Sequence, residues 1–187
     1  MAERRHDPGE RDWAALAQDI VAWGRELGFG AVGIAGTDLA DEEARLLAWL
    51  DDGRHGEMQY MARHGVLRAR PEELVPGTLR VISVRLDYWP EAARDAGEVL
   101  GEPSRAYVSR YALGRDYHKV VRTRLQALAD RIAGTVGPFG YRVFADSAPV
   151  MEVALAARAG LGWRGKHTLL LTREGSLFFL GELYTHL

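Results

Sequence analysis

The chain of 187 residues contains no cysteine. It therefore cannot form a disulfide bond, a zinc site built from thiolates or an iron–sulfur cluster held by cysteine ligands. The absence also fits a reducing compartment. If the protein carries out redox chemistry, its electrons must come from an external donor.

The sequence also lacks a long apolar run and a large excess of either charge. No apolar stretch approaches the roughly 20 residues that a membrane-spanning helix needs, and the polar first residues carry no apolar core of a signal peptide. The formal net charge of −2 does not predict broad electrostatic capture of nucleic acid, although a local basic patch remains open. No pair of histidines has metal-ligand spacing. We therefore expect a cytoplasmic monomer with no membrane partner and no bound metal ion of its own.

The apolar residues predict a single domain in which helices alternate with strands. Steps of three and four residues are typical of amphipathic helices, and alternating or continuous apolar runs are typical of strands. Residues 53–77, rich in Gly, His, Arg and Pro, are expected to form a long functional loop. The predicted helices are 13–27, 41–50, 57–64, 117–132 and 149–159; the predicted strands are 29–35, 79–88 (closed by Pro90) and 141–145, followed by a C-terminal hairpin of 168–172 and 177–184 around Glu174-Gly175.

Three glycines match the spacing of a dinucleotide-binding motif. Gly28, Gly30 and Gly33 satisfy G-x-G-x-x-G, but that motif requires a strand before it and a helix after it. Here the glycines follow a predicted helix and open a predicted strand. We interpret them as a helix end and a turn, and not as a nucleotide site.

Asp146 lies where a predicted strand ends and a predicted helix begins. It could act as a general acid if desolvation raised the pKa of its carboxyl group. It could equally cap the helix, in which case the carboxylate would accept backbone N–H groups and stay ionised. The local pattern leaves both roles open.

Basic residues are grouped in two places. Arg68 and Arg70 could hold a phosphate, a cofactor amide or an RNA backbone, or they could be solvated surface charges. The second group mixes basic and aromatic side chains, which suits single-stranded nucleic acid or a flat cofactor. The alternative to ligand binding is that Tyr117 belongs to the core and that His118 is a surface histidine. The members of this group are Tyr107, Arg110, Tyr111, Arg115, Tyr117, His118 and Lys119.

A glycine-rich segment follows the predicted helix 149–159. Its three glycines at 160, 162 and 165 allow close backbone approach, Trp163 offers a stacking surface and Lys166 a charge. The segment could face a ligand, or it could simply connect the helix to the hairpin. Leu170 and Leu180 are core residues by default, although apolar residues also line cofactor pockets.

Several longer motifs occur in a fixed order, and together they closely resemble the N-terminal part of the epoxyqueuosine reductase family. These enzymes complete the modified tRNA base queuosine. The match covers nearly the whole chain after about its first dozen residues. The motifs are HGEMQYMARHGVLRARPEELVPGTLRVISVRLDY (55–88), YVSRYALGRDYHKV (107–120), DSAP (146–149), AGLGWRGKH (159–167) and SLFFLGEL (176–183).

The resemblance implies an α/β (α+β) fold, with a nitroreductase-like or reductive-dehalogenase-like sheet flanked by helices. It implies a flexible N-terminus at 1–11 and a catalytic domain at 12–187 that binds cobalamin and reduces the epoxide of epoxyqueuosine in the tRNA anticodon loop. Asp146 matches the proton donor of the family. The implied cobalamin contacts, by motif position, are Arg68, Ser109, Asp146, Met151, Leu170 and Leu180.

The resemblance also shows what this chain lacks. Members of the family continue into a cysteine-rich ferredoxin-like domain with two [4Fe-4S] clusters, whereas this chain ends at Leu187 and has no cysteine. We therefore expect it to be incomplete for electron supply and to depend on an external electron donor. The alternatives are a non-catalytic remnant that binds cobalamin or tRNA, and a flavin-dependent nitroreductase-like enzyme.

Overall fold

The computed structural model describes residues 11–89 and 92–187. The segment predicted to be flexible, 1–11, lies outside the described residues except for Arg11, and so does Pro90. The helices are α1 (Trp13–Glu26), α2 (Ala40–Asp51), α3 (Gln59–His64), α4 (Pro71–Leu74), α5 (Ala96–Leu100), α6 (Tyr117–Val136) and α7 (Glu152–Arg158), with 3₁₀ turns at Gly65–Ala69 and Arg110–Ala112. The strands are β1 (Ala31–Ala35), β2 (Arg80–Asp87), β3 (Tyr141–Phe144), β4 (Trp163–Arg164), β5 (Leu170–Leu171) and β6 (Phe178–Thr185).

Four of the strands form one antiparallel sheet in the order β1-β2-β6-β3. The last strand in the chain, β6, thus lies inside the sheet, and Glu182 on it pairs with Ser83 of β2 and Phe144 of β3. Strands β4 and β5 form a separate two-stranded ribbon. The mixed helix and strand architecture agrees with the predicted fold class. No helix among the described residues is long and apolar enough to span a membrane.

The two faces of the sheet are covered by different helices. Because successive strand residues point to opposite faces, Ile82 packs with α1 and α6, whereas Val81 packs with Leu155 of α7. Most of this core is fully buried, including Leu125 and Leu128 of α6. Glu182 lies on the α7 face, in line with Val81 and Tyr184, and its side chain is 0% exposed. A carboxyl group is therefore enclosed between the sheet and α7.

The long helices begin where the sequence predicts, whereas α6 continues four residues beyond its predicted end at 132. Asp12 caps α1 by accepting the N–H of Ala15 at 2.9 Å, and Gly28 follows the helix with a φ of 84°. Asp116 caps α6 in the same way and Gly137, with a φ of 86°, ends it. These positions confirm that Gly28 ends a helix, as glycine at positive φ commonly does.

The predicted C-terminal hairpin is wrong in its pairing. The turn around Glu174-Gly175 is present, with the Thr172 N–H donating to Gly175 O at 2.9 Å. However, β5 pairs with β4, and β6 pairs with β2 and β3. Sequence proximity favours a local hairpin, but β6 gains two neighbours by entering the larger sheet. The predicted helix 149–159 also begins later than expected, at Glu152.

Candidate functional site

Asp146 lies in the connection between β3 and α7, in a left-handed backbone conformation with a φ of 58°. The helix begins six residues later, at Glu152, and its N-cap is Met151. The helix-capping interpretation of Asp146 is therefore wrong. Instead, the backbone N–H of Asp146 donates a hydrogen bond of 2.7 Å to Glu152 Oε1.

The first turn of α6 holds the Asp146 side chain. The Tyr117 hydroxyl donates a short hydrogen bond to Asp146 Oδ2, and His118 Nε2 lies 3.1 Å from the same oxygen. Among the described residues, Asp146 Oδ1 has no hydrogen-bond partner. The side chain is 56% exposed, so this oxygen is accessible to a ligand.

His118 connects Asp146 to a second carboxylate. Its Nδ1 lies 2.9 Å from Asp116 Oδ1, and this contact lowers the pKa of the Asp116 carboxyl. An imidazole placed between two carboxyl groups can donate a proton from one nitrogen while the other nitrogen accepts one. Asp116, His118 and Asp146 can therefore hold or transfer a proton.

Tyr117 remains a hydrogen-bond donor at neutral pH. Burial and its bond to Asp146 raise the pKa of the phenol above its usual value. Its ring stacks on Phe179 of β6, as expected for the predicted core residue, but its hydroxyl reaches the site. The prediction that His118 is an ordinary surface histidine misses its contact with Asp146.

A half-buried glutamate, Glu152, and a fully buried one, Glu182, lie behind Asp146. Burial, with the nearby Asp146 carboxyl, raises the pKa of Glu152 to about 7. Glu182 is fully enclosed; burial and then the charge of Glu152 raise its pKa well above the usual value. Neither carboxyl oxygen of Glu182 has a hydrogen-bond partner among the described residues. Sequence analysis identified neither glutamate as a site residue. The available signal was the charged residue Glu182 within the otherwise apolar sequence of β6.

Asp146 lies at a cavity of about 240 Å³. Tyr117 and Glu152 contribute polar groups to its wall, and Leu170 and Leu180, two of the predicted cofactor contacts, contribute apolar ones. The cavity is therefore mainly apolar with a few convergent polar groups, a common arrangement in ligand sites.

A second cavity of about 260 Å³ adjoins the first, because Glu152 and Val153 line both. It contains the predicted contacts Arg68 and Met151, together with Arg164. One terminal nitrogen of Arg68 donates to Tyr60 O at 3.2 Å, whereas its buried Nε has no partner among the described residues. Burial lowers the pKa of this guanidinium. Arg68 thus has a donor available for a ligand.

The structure separates Arg70 from Arg68. Arg70 binds both carboxylate oxygens of Glu43 at 2.8 Å and also Glu73 at 2.8 Å. These contacts tie the 3₁₀ turn to α2 and leave the guanidinium paired within the protein. Neither the ligand-binding nor the solvated-charge interpretation describes Arg70.

The remaining candidates lie near the two cavities or on the surface. Ser109 is exposed at the start of the 3₁₀ turn 110–112, and the described residues lining these two cavities do not include it. Arg110 stacks on Trp89, with Cζ 4.0 Å from the ring centroid. Trp163, in the two-stranded ribbon, is 51% exposed.

The sequence is similar to that of known reductases. A family model described as "Epoxyqueuosine reductase QueG, DUF1730" matches residues 68–147. The epoxyqueuosine reductase of Pseudomonas aeruginosa is 64% identical over 174 residues, which make up 92% of this chain and 48% of the relative. That of Burkholderia pseudomallei is 60% identical over 91% of this chain and 46% of the relative. The chain spans about half the length of these relatives.

Solved structures share the fold. An epoxyqueuosine reductase from Streptococcus thermophilus is 27% identical with a TM-score of 0.74, over 91% of this chain and 45% of that one. An epoxyqueuosine reductase solved with a tRNA-Tyr epoxyqueuosine-modified tRNA stem loop is 22% identical, with a TM-score of 0.74 over 92% of this chain and 46% of that one. A reductive dehalogenase, described in terms of B12-dependent dehalogenation, is 21% identical in sequence. Its TM-score is 0.54, over 97% of this chain and 21% of that one. The resemblance found in the sequence is confirmed: this chain is similar to about half the length of the epoxyqueuosine reductases.

Proposed function

We propose that this chain is the cobalamin-binding part of an epoxyqueuosine reductase, with Asp146 as its proton donor. The observation that carries the proposal is the Asp146 carboxyl at an apolar cavity, held on one oxygen by Tyr117 and His118. This geometry leaves the other oxygen accessible to a substrate. The family resemblance supplies the identity of that substrate.

The residues around the two adjoining cavities fit cobalamin. A large cofactor with a flat ring and amide side chains needs apolar walls and a few donors. Met151, Leu170 and Leu180 offer apolar contacts, and the buried Nε of Arg68 is a donor that lacks a protein partner among the described residues. Asp146 at the first cavity and Ser109, which lines neither cavity, complete the proposed set. Reduced cobalamin would supply electrons at its cobalt centre.

The proposed reaction removes the epoxide oxygen as water, which consumes two electrons and two protons. Asp146 donates a proton to the oxygen as its bond to carbon breaks, because an unprotonated oxygen is a poor leaving group. Tyr117 fixes the position of Asp146 Oδ2. His118, supported by Asp116, returns a proton to the Asp146 carboxyl.

The proposed substrate is the tRNA anticodon loop that carries epoxyqueuosine. Support comes from the relative that was solved with such a stem loop and from exposed aromatic and basic groups near the site. Arg110 on Trp89, together with the exposed Tyr107 and Tyr111, offers stacking surfaces that suit unpaired bases. We further propose that the protein is a cytoplasmic monomer. We also propose that its electrons come from a donor outside this chain, because a chain without cysteine cannot hold an iron–sulfur cluster through cysteine ligands.

The direct test of cofactor choice is a titration of the purified chain with cobalamin, followed by its visible spectrum. The proposal predicts saturable binding and a change in the visible spectrum of the cofactor when it binds. A folded sample that binds no cobalamin, or that binds flavin instead, would overturn the cofactor assignment.

A further inference from the structure

Asp146 keeps a backbone conformation that few residues other than glycine adopt. A φ of 58° lies in the left-handed region, which costs most residues about 1–2 kcal/mol and which Asp and Asn adopt more readily than the others. Such strain persists only where the surrounding structure enforces it. The residue in question carries the carboxyl group on which the proposed chemistry depends, so the contact that holds its backbone matters for function.

Glu152 supplies that contact. Its Oε1 accepts the Asp146 N–H at 2.7 Å across a connection of six residues. A hydrogen bond to a carboxylate is stronger and shorter than one to a neutral acceptor. The side chain also lines both cavities, so the group that fixes the Asp146 backbone lies directly beside the proposed cofactor and substrate space.

We propose that Glu152 is a positioning residue, which holds the Asp146 turn by accepting its backbone N–H and so directs the Asp146 carboxyl into the cavity. This inference rests on the proposed function of Asp146. Glu152 itself does not need to touch the reacting atoms. Its role is to keep one backbone amide, and hence one side chain, in place.

Glu182 lies behind Glu152 and is fully buried on the α7 face of β6. Burial, and then the charge of Glu152, raise the pKa of the Glu182 carboxyl well above its usual value. Glu182 therefore keeps its proton at neutral pH and adds no second negative charge beside Glu152.

Amide NMR of the whole chain tests the hydrogen bond without depending on activity. In the unsubstituted protein, the Asp146 amide proton should resonate downfield and should exchange with solvent at least about 10-fold more slowly than in Glu152→Ala. Glu152→Gln keeps a neutral acceptor oxygen at the same reach, so its Asp146 amide should stay protected from exchange, with a resonance between those of the wild type and Glu152→Ala. Glu152→Asp, which is shorter by one methylene, should behave like Glu152→Ala.

Activity with cobalamin and a chemical reductant tests the functional consequence. We expect kcat to fall at least about 10-fold in Glu152→Ala and Glu152→Asp, with an unchanged KM for the tRNA and unchanged cobalamin binding, and to remain within about threefold in Glu152→Gln. An unprotected Asp146 amide in the unsubstituted protein would overturn the proposal, even if Glu152→Ala fails to fold. An equal fall in kcat in Glu152→Gln and Glu152→Ala would overturn it as well. Failure of the unsubstituted chain to bind cobalamin would instead count against the proposed function, because the NMR experiment requires neither cobalamin nor activity.

Discussion

Tyr117 lies flat on Phe179, with ring centroids 3.9 Å apart and an angle of 1° between the ring planes. The stack joins the first turn of α6 to β6 and directs the Tyr117 hydroxyl toward Asp146 Oδ2. A core contact thereby sets the position of a polar group in the site.

Replacing Tyr117 by Phe separates these two contributions. The stack on Phe179 should survive, so thermal stability should change little, whereas the hydrogen bond to Asp146 is lost. Hydrogen bonds of this kind are worth about 0.5–1.5 kcal/mol, which corresponds to about a 2- to 13-fold loss of kcat. Single-turnover reduction of epoxyqueuosine tRNA measures the effect. Tyr107→Phe, at an exposed tyrosine, is the control, and an equal loss in both variants would contradict the assigned contact.

Arg68 and Arg70 should respond oppositely to substitution by Ala. Arg70→Ala breaks the ion pairs with Glu43 and Glu73, so we expect it to lower the free energy of unfolding and to leave cobalamin affinity intact. Arg68→Ala should weaken cobalamin binding about 10-fold or more with little change in stability. Denaturant unfolding and cobalamin titration of both variants measure this contrast. The reverse pattern would show that the wrong arginine has been assigned to the cofactor.

Glu152 should make stability depend on pH in a predictable window. Its pKa is about 7 in the folded protein against a usual 4.5, so the folded state binds more protons than the unfolded state between these values. The contribution of Glu152 to stability is fully present below about pH 4.5 and is lost as the pH rises through about 7. The slope is at most about 1.4 kcal/mol per pH unit.

Denaturant unfolding at several pH values, compared with Glu152→Gln, isolates this slope. The variant cannot titrate at position 152, so its stability should fall less between about pH 5 and pH 7 than that of the wild type. Parallel curves for the two proteins would mean that the Glu152 carboxyl is not held above its usual pKa.

Gly33 is predicted to be intolerant of any side chain. A Cβ at this position would lie 2.1 Å from the carbonyl oxygen of Ala159, at the end of α7. Gly33→Ala should therefore destabilise the fold by about 1–3 kcal/mol, because backbone must move to accommodate the methyl group. Gly36→Ala is the matched control, since nothing lies within 4 Å of the added Cβ there. A thermal melt distinguishes the two; equal stability would mean that α7 lies farther from the sheet.

The helices could be predicted from the sequence because their signals are local. Asp12 and Gly28 bracket α1, and Asp116 and Gly137 bracket α6, as caps and stops generally do. The pairing of β6 could not be predicted in this way. Its partners Ser83 and Phe144 are distant in sequence, and the apolar pattern of a strand does not specify which neighbour it will join.

The candidate site was predictable only in part. The family motifs pointed to Asp146, but the contacts that define its environment come from different elements that the fold brings together. The Tyr117 hydroxyl and His118 reach it from α6, and Glu152 reaches it from α7. Glu182 stands alone in an apolar strand, so only its position opposite α7 reveals its connection with the site.

The most direct test of the account is reduction of epoxyqueuosine tRNA by the cobalamin-loaded chain with a chemical reductant, comparing the wild type with Asp146→Asn. The variant keeps the size of the side chain but cannot donate a proton as an acid, and general acids typically contribute about 10²- to 10⁴-fold. Asp130→Asn is the control, at an exposed aspartate about 20 Å along α6 from Tyr117 at 1.5 Å per residue. We predict a loss of at least about 100-fold in Asp146→Asn alone, with cobalamin binding retained. Turnover by Asp146→Asn at the wild-type rate would contradict the assignment of Asp146 as the proton donor.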